Sequence, residues 1–571
     1  MMRTRQLAVG VLLLISLILL GLWWNTPRRI DMARYAPANS LVYLEANSVL
    51  EIAEQLSRTE AWKALDPPVQ LNPGRWRNRL TTLFVGWTGI GSDEHVLLAR
   101  SQVALVMTDL AAMEEGEVLN VKPAAAILIE THTSESRIRP VVEKLLGKFA
   151  KAAYQTTVHT RTTFQNLELI EWKSNGGDRR VIAVIDGSLI IIGNDERAVK
   201  SCLAVRRGQQ LSLINDGELR QMRGRLNSAN ALTFGYVPKA NSAHLLAQIA
   251  PLLFGRGPGD LQLEKLLGSG ASKLVESFGW SSQARAGGIE DRYFCEFNPA
   301  FASRLQVPLE AASISNDVWD LLPPTVHSVT IYNYKDPAAV WANFETAVSS
   351  QLDTLSALLA DAIIKGSLMS YGIKEPLEFF KTVHPELLTA RLSQDAEHSL
   401  VIARVRDKTA VERVIARETG SDRGNEDALA AQDISVAFVG EYILLGTVED
   451  VRHCLRAHQE SVTMARNGKI RQVTHFSLDP SLAGVMTYSD ETQRVRGFIR
   501  ALRVLNEFPS TTSVPPRDLD DRIAQLPFSA SQTTVRDSGL ERITQSSFGQ
   551  FSNLLPLILP NQTNEAKDHD E

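Results

Sequence analysis

The chain has 571 residues, too many for one hydrophobic core, and at ~100–200 residues per domain about three or four folding units are expected. Hydrophobic residues make up 44% and charged residues 22% of the chain, a composition that is typical of globular proteins and excludes general disorder. The formal net charge of −5 provides no basic field, so nucleic acid is not expected as a partner.

An apolar segment near the amino terminus comes first. Residues 7–24 carry no charge, and a run of this length just spans the hydrocarbon core of a bilayer. Trp23 and Trp24 occupy the position of an interfacial aromatic anchor, and no small-x-small pair comes after them to mark a signal-peptide cleavage site. Residues 1–31 are therefore predicted to form a short tail and an uncleaved transmembrane anchor.

The orientation of this anchor cannot be read from charge. Arg3 and Arg5 on one side of the span oppose Arg28, Arg29 and Arg34 on the other, so the count is nearly even. We expect the short tail inside the cell and the rest of the chain outside, because a single amino-terminal span mainly serves to export or tether the domains attached to it. The expected protein is single-pass, with the bulk of its chain extracytoplasmic.

Two matching segments organise the remaining chain. Residues 181–203 contain two apolar strands around a turn at Gly187 and then a helix, and residues 434–455 repeat this pattern around Gly440. Asn194 and Thr447 stand at the positions where the two helices need an N-cap. The pattern predicts a β-hairpin that leads into a helix in each segment, and therefore an internal duplication.

The correspondence extends beyond these hairpins. A strand followed by an amphipathic helix opens both copies, near residues 41–56 and 326–348, and a closing hairpin turns just before Gly288 or Gly539. The first copy has extra residues, mostly between 146 and 180, whose strand-like composition predicts a longer sheet. The predicted boundaries are 1–31 for the tail and anchor, 32–312 for the first repeat, 313–560 for the second repeat and 561–571 for a disordered polar tail.

Strand pairing can be predicted from the connections. Tight glycine turns join successive strands and helices lie between the hairpins, a pattern that favours antiparallel sheets over a doubly wound parallel sheet. The predicted fold class is α+β: a single N-terminal transmembrane helix followed by two tandem pseudo-equivalent α+β repeats with largely antiparallel sheets.

The start of the first copy carries a resemblance. Residues 35–45 read Tyr-Ala-Pro-Ala-Asn-Ser-Leu-Val-Tyr-Leu-Glu, and residues 88–90 read Thr-Gly-Ile. Together with one N-terminal span and a duplicated ectodomain, this pattern resembles a group of uncharacterised bacterial envelope proteins that are classed only as a domain of unknown function. The resemblance implies a membrane-tethered extracytoplasmic protein and supplies no catalytic residue.

The common sequence motifs for catalysis and metal binding are missing. The chain contains no His-Glu-x-x-His, Cys-x-x-Cys, Walker loop or Gly-x-Ser-x-Gly elbow. The glycine-rich residues 255–259 come after a helical pattern, and Pro258 removes a backbone donor, which disfavours a phosphate loop. Residues 93–95, Asp-Glu-His, are interpreted as a solvated loop because consecutive side chains diverge. No cofactor, metal ion or catalytic residue is predicted.

The three cysteines are interpreted as structural. Cys202 and Cys454 occupy the same place in the two copies, on the apolar side of a helix, which predicts small buried core residues. Cys295 lies in the closing hairpin, without a nearby histidine or cation that would activate a thiolate. So few cysteines in an exported chain indicate that large cores hold the fold together and not disulfides.

These features favour a membrane-tethered extracytoplasmic binding or scaffolding protein of the bacterial cell envelope, anchored in the inner (plasma) membrane, with other envelope proteins as candidate partners. An envelope hydrolase with a site in the inter-repeat cleft and a carrier of an apolar ligand remain open as alternatives. We expect the site in the groove between the repeats, which neither copy makes alone. Trp319 is the predicted partner contact there, with plain packing as its alternative role.

Overall fold

The structure is a computed structural model. It describes residues 29–65, 100–115, 118–154, 157–176, 179–239, 241–242, 245, 273–305, 310–312, 316–352, 373, 375–394, 399–419, 434–466, 482–504 and 516–553. Within these ranges no helix is long and apolar enough to cross a membrane. The predicted anchor at residues 7–24 lies outside the described residues, as do residues 88–90, 93–95 and 255–259.

The described residues form a sheet of 18 strands. The strands before residue 300 are β1 Val42–Ala46, β2 Gln102–Glu115, β3 Val118–Glu130, β4 Thr157–Phe164, β5 Leu167–Ser174, β6 Arg180–Asp186, β7 Leu189–Gly193, β8 Thr233–Val237, β9 Val275–Arg285 and β10 Gly288–Phe297. The later strands are β11 Ser328–Asn333, β12 Val383–Arg391, β13 Leu400–Val405, β14 Ile434–Val439, β15 Tyr442–Thr447, β16 Gly484–Ser489, β17 Ser529–Arg536 and β18 Gly539–Ser546.

Helices lie between the strands of both groups. The first group contains α1 Val49–Arg58, α2 Glu60–Leu65, α3 Glu135–Tyr154, α4 Glu196–Arg206, α5 Gly217–Arg225 and α6 Pro299–Leu305. The second group contains α7 Pro337–Ser349, α8 Pro376–Thr382, α9 Lys408–Thr419, α10 Val448–Gln459, α11 Thr492–Val504 and α12 Pro516–Ala524. Short 3-10 helices are found at Met32–Tyr35, Leu213–Asn215, Ser228–Asn230, Asn316–Leu321 and Met464–Arg466.

All the strand pairings described are antiparallel. From one edge to the other the order is β4-β5-β6-β7-β3-β2-β1-β8-β9-β10-β18-β17-β16-β11-β12-β13-β15-β14. The predicted α+β class with antiparallel pairing is therefore confirmed. Outward from the centre, the first half runs β10-β9-β8-β1-β2-β3-β7-β6 and the second half runs β18-β17-β16-β11-β12-β13-β15-β14. Numbered along the chain within each half, with β4 and β5 left out, these two orders are the same. The first half adds β5 and β4 at its edge.

The two halves meet in the middle of this sheet. β10 pairs with β18 from Ile289 opposite Ser546 to Glu296 opposite Gly539, with Arg292 opposite Ile543 at the centre. We call this β10–β18 ladder the seam. Because the seam continues the hydrogen-bonded ladder, the halves share one sheet and are not separate domains joined only by a linker.

Helices cover both faces of the sheet, and the β6–β7 hairpin explains why. Ile182 and Val184 pack into the core that contains α4, whereas Ala183 and Ile185 pack against α3 on the opposite face. Since side chains alternate along a strand, an uninterrupted apolar run such as residues 181–185 suits a strand that is buried on both sides. The second half has the same layering, with α10 on one face and α8 and α9 on the other.

The caps of the matching helices correct one prediction. The Thr447 side chain accepts a hydrogen bond from the backbone of Asp450 and caps α10, as expected. The prediction for Asn194 is wrong, because Asp195 caps α4 by accepting from the N–H groups of Arg197 and Ala198. The Asn194 amide instead bonds the backbone of β3, where its Oδ1 accepts from the Ala125 N–H at 2.9 Å.

One apolar cluster draws on both halves. Trp62 on α2 meets Phe548 edge to face at 6.0 Å, and Phe548 stacks on Phe498 of α11 at 4.9 Å. Ile289 of β10 lies in the same cluster. We call it the bridging core. Its other buried members are Leu56, Ala61, Leu65, Leu232, Val495, Ile499, Leu519, Ile523 and Leu526.

Candidate functional site

A buried carboxyl marks the seam, the junction at which the sequence places the site. Asp291, on β10, is only 1% exposed. Its Oδ1 accepts hydrogen bonds from Trp280 Nε1 at 3.3 Å and from the Ser282 hydroxyl. Its Oδ2 accepts from the backbone N–H of Gln550, in the other half, at 3.0 Å. One carboxyl thereby connects the two halves of the molecule.

A second buried carboxyl lies close to it. Glu491 is 3% exposed and accepts hydrogen bonds from the backbone N–H of Ser547 and from Arg494 Nη2, both at 2.7 Å. Burial raises the pKa of Glu491 above its ordinary value, although Arg494 and the Ser547 N–H oppose the rise. The segment 547–550, directly after β18, is thus held by one carboxylate from each half.

The pKa of Asp291 is displaced far enough to fall near neutrality. Burial raises it to about 6, against the hydrogen bonds from Ser282, Trp280 and the Gln550 backbone, and the nearby Glu491 charge adds to the rise. A carboxyl of this kind is a candidate acid or base. Asp291 is enclosed on all sides, however, so it can exchange a proton but offers no surface to a substrate.

Gly549 makes this enclosure possible. Its φ is +57°, in the left-handed region that glycine adopts without strain. A Cβ at this position would overlap the Ile289 side chain and would lie 2.7 Å from Asp291 Oδ2. Only glycine at position 549 therefore lets the backbone come this close to the buried carboxyl.

On the other face of the seam a third carboxyl is fully paired. Glu290 Oε1 accepts from Arg292 Nε at 2.9 Å and from Arg285 Nη2 at 3.1 Å, and Gln545 across the seam donates to Oε2 at 3.2 Å. Burial disfavours the charge, but the bonds from Arg292 and Arg285 hold the pKa of Glu290 below its ordinary value. Each face of the seam thus carries a buried carboxyl that is paired within the chain.

An open cavity of about 480 Å³ lies away from the seam. It is formed where the first described residues meet β1, the end of α5 and the 3-10 helix Ser228–Asn230. Polar and charged side chains dominate the lining. The lining residues are Arg29, Ile30, Asp31, Glu45, Arg223, Gly224, Asn227, Ser228 and Ala229.

Arg223 is the central side chain of this cavity. Its Nη1 and Nη2 contact the Asp31 carboxylate at 2.5 and 2.9 Å, and Nη2 also contacts Glu45 Oε1 at 3.1 Å. The guanidinium lies 5.2 Å from the centre of the Phe234 ring. Burial opposes ionisation of both Asp31 and Arg223, but their bidentate pair lowers the pKa of Asp31 and raises that of Arg223.

One donor of this group is unused. Among the described residues, Arg223 Nε is buried and has no hydrogen-bond partner. A buried donor without an acceptor costs ~1–3 kcal/mol, and because this atom is closed to solvent, a ligand in the open cavity does not reach it. Arg29, which lines the same cavity, donates to the carbonyls of Ala229 and Ala231 at 3.3 and 3.2 Å. The charged and polar lining of the cavity suits a small polar ligand.

Trp319, the predicted partner contact, lies in the 3-10 helix Asn316–Leu321. Its ring meets Tyr488 of β16 edge to face at 5.8 Å, and it packs on the core of the second half that contains α10. These contacts agree with the packing role weighed for this residue. Its role in binding a partner stays a prediction.

The cysteines lie where the apolar patterns indicate. Cys202 and Cys454 are both 0% exposed, which confirms their prediction as core residues. Burial raises the pKa of each thiol to about 12, and that of the partly buried Cys295 to about 11. All three thiols are therefore protonated at neutral pH and poor nucleophiles. In the described ranges, no group of three or more His, Cys, Asp or Glu residues could hold a metal ion.

Sequence reasoning missed the carboxyls of the seam and the arginine of the cavity. A signal for Asp291 was present, because it stands on a strand between Ile289 and Tyr293, at a position where alternation favours an apolar residue. Arg223 gave no such signal. Its partners Asp31 and Glu45 lie 192 and 178 residues away along the chain, so only the folded sheet brings them together.

Comparison of the chain with protein-family models, with curated proteins and with solved structures gives no match. The fold therefore defines the molecule only as an α+β protein with a large antiparallel sheet. The seam and the cavity are the two candidate sites considered among the described residues.

Proposed function

We propose that this protein is a membrane-tethered extracytoplasmic binding or scaffolding protein of the bacterial cell envelope. Residues 7–24 form its anchor in the inner membrane, and two copies of one α+β unit, residues 32–312 and 313–560, form a single platform outside. The cavity around Arg223 is its binding site. The seam has a structural role, because its carboxyls are enclosed and already paired.

The duplication is supported by the order of the strands. Among the described strands, eight in each half have the same order outward from the seam, and β4 and β5 are the two without counterparts. Gly288 and Gly539 open β10 and β18 and lie at opposite ends of the seam. An antiparallel ladder between two equivalent strands has this arrangement.

The binding role is supported above all by the cavity. Its volume of about 480 Å³ falls in the range of small-ligand sites, and its lining is more polar than is usual for them, which suits a polar ligand. Arg29, Ile30 and Asp31 in its lining come only a few residues after the proposed anchor. In a tethered protein the cavity therefore lies close to the membrane surface, where it can take a polar ligand of the envelope.

We expect residues 7–24 to hold the protein in the membrane with the rest of the chain outside the cytoplasm. A reporter fused after Glu571 is expected to be active outside the cytoplasm, and protease added to spheroplasts is expected to digest the chain. The double change Leu14→Arg and Leu17→Arg should abolish membrane association, because each charge at mid-span costs ~2.5–3.5 kcal/mol on insertion scales. The matched control, Leu14→Val with Leu17→Val, keeps the anchor. Protection from protease in spheroplasts would overturn the orientation.

Occupancy of the cavity tests the binding role directly. Full-length chain extracted from membranes in mild detergent is expected to carry a bound small molecule in native mass spectrometry. Ala229→Trp should remove this mass, because the indole would occupy part of the cavity that Ala229 lines. Ala300→Trp, at an exposed position on α6, is the control and should keep it. Wild-type chain without added mass, or added mass that persists in Ala229→Trp, contradicts the assignment of the cavity.

A further inference from the structure

The outer strand of the first half is unusually open. β4, Thr157–Phe164, pairs with β5, and within the described parts of the chain it has no second neighbouring strand. Its first seven side chains are all exposed. The strand at the opposite end of the sheet, β14, differs because its side chains are buried or half-buried. β4 is therefore a free edge with a ladder of unpaired backbone groups.

Natural proteins usually protect such an edge with proline, lysine, a bulge or a covering segment. β4 contains neither proline nor lysine, and it pairs with β5 in continuous register without a bulge. Its single formal charge, Arg161, is neutralised by Glu168 at 2.9 Å and Glu143 at 3.0 Å. The β-branched residues that favour strand pairing are Thr157, Val158, Thr160, Thr162 and Thr163.

The turn shows which backbone groups point outward. Gln165 and Asn166 form a two-residue connection with φ of +50° and +63°, as in a hairpin turn of the primed type. Phe164 and Leu167 are then the hydrogen-bonded pair beside the turn, and bonded and non-bonded pairs alternate from there. Residues 157, 159, 161 and 163 thus direct their N–H and C=O groups away from β5.

We propose that β4 pairs in antiparallel fashion with β4 of a second copy of this chain, with the twofold axis at Thr160. This register overlaps residues 157–163 and lets the four outward-directed residues bond one another. It places Thr160 opposite itself and Val158 opposite Thr162, pairs that β-branched side chains favour. A register centred on Arg161 would place two guanidinium groups opposite each other, which is destabilising.

A second copy fits this edge better than a foreign strand. An antiparallel ladder between identical strands is self-complementary, as an isologous contact requires. Threonines and a neutralised arginine provide no net charge that would select a different partner. The chain already contains a contact of the same kind, since β10 and β18 join its two halves edge to edge. Pairing through β4 would continue the same sheet into the next molecule.

Disulfide trapping in the full-length chain tests the register. In a parent carrying Cys295→Ser, only the buried thiols of Cys202 and Cys454 remain. Thr160→Cys is expected to shift from monomer to dimer on a non-reducing gel after mild oxidation, because non-bonded antiparallel pairs have Cα atoms only ~4.5 Å apart. Thr162→Cys lies on the same face and is equally exposed, but its copy lies about four residues farther along, roughly 13 Å away. It should remain monomeric.

Mass measurement gives the second readout. Wild-type chain is expected to pass from monomer to dimer with rising concentration in analytical ultracentrifugation. Thr160→Lys should shift it to monomer, because it brings two ammonium groups together at the axis without touching the β4–β5 register. A wild-type chain that stays monomeric at all concentrations overturns the proposal. Equal trapping of Thr160→Cys and Thr162→Cys overturns the register, and a dimer that survives Thr160→Lys places the interface elsewhere.

Discussion

Replacing Gly288 or Gly539 with alanine is expected to open the seam. A Cβ on Gly288 would overlap the carbonyl oxygen of Ser546, and one on Gly539 would overlap the carbonyl oxygen of Cys295. Both obstacles are backbone atoms of the facing strand, so no side chain can move aside. We expect each change to lower the free energy of unfolding by about 3 kcal/mol, the upper end for overpacking.

Thermal or denaturant unfolding of the full-length chain measures this effect. The matched control is Gly217→Ala at the start of α5, where a Cβ meets no atom within 4 Å. That change should be neutral or stabilising by up to about 1 kcal/mol, since alanine favours helices more than glycine does. If the seam variants unfold like Gly217→Ala, the two halves do not depend on the β10–β18 ladder.

The stability contributed by Asp291 is expected to depend on pH. Its pKa is raised from 3.8 to about 6 in the folded chain, so the folded state binds this proton more tightly than the unfolded state. The contribution is therefore full below pH ~4 and is lost as the pH rises through 6. A rise of this size corresponds to a loss of about 3 kcal/mol.

The measurement compares wild-type chain with Asp291→Asn, which cannot ionise. The difference in unfolding free energy, wild type minus variant, should fall by about 2.5 kcal/mol between pH 4 and pH 7. Other carboxyls, including Glu491, remain in both chains and largely cancel in the difference. Gly217→Ala should differ from wild type by the same amount at every pH. A wild-type-minus-variant difference that is flat over this range would show that Asp291 does not hold its proton in the fold.

Local patterns were sufficient to predict much of the sheet. The apolar runs around Gly187 and Gly440 gave both hairpins, because a turn glycine between two short strands is a signal within one stretch of chain. The extra residues of the first half predicted a longer sheet through their strand-like composition, and they form β4 and β5. At the end of β7, Gly193, the predicted cap residue Asn194 was one position too early, and Asp195 caps the helix.

The contacts that define the candidate sites could not be predicted in this way. The Gln550 N–H reaches Asp291 across 259 residues of sequence, and Arg223 reaches Asp31 across 192. Such contacts depend on which edges of the sheet meet, and a single sequence carries no local signal for that choice. The cavity results from the same long-range arrangement. The two halves meet in a closed ladder at the seam, and the cavity around Arg223 lies apart from it.

The seam also bears on how such a chain could arise and diverge. If the two halves descend from one unit, that unit could form the same ladder only as a homodimer, whose formation depends on the concentration of the unit. Fusion makes the encounter intramolecular, with an effective concentration that reaches the millimolar range for short connections. Each half then needs to fit only one fixed neighbour. One half can then gain an outer hairpin and a cavity while the other keeps the original set of strands. The β10–β18 ladder still joins the two halves.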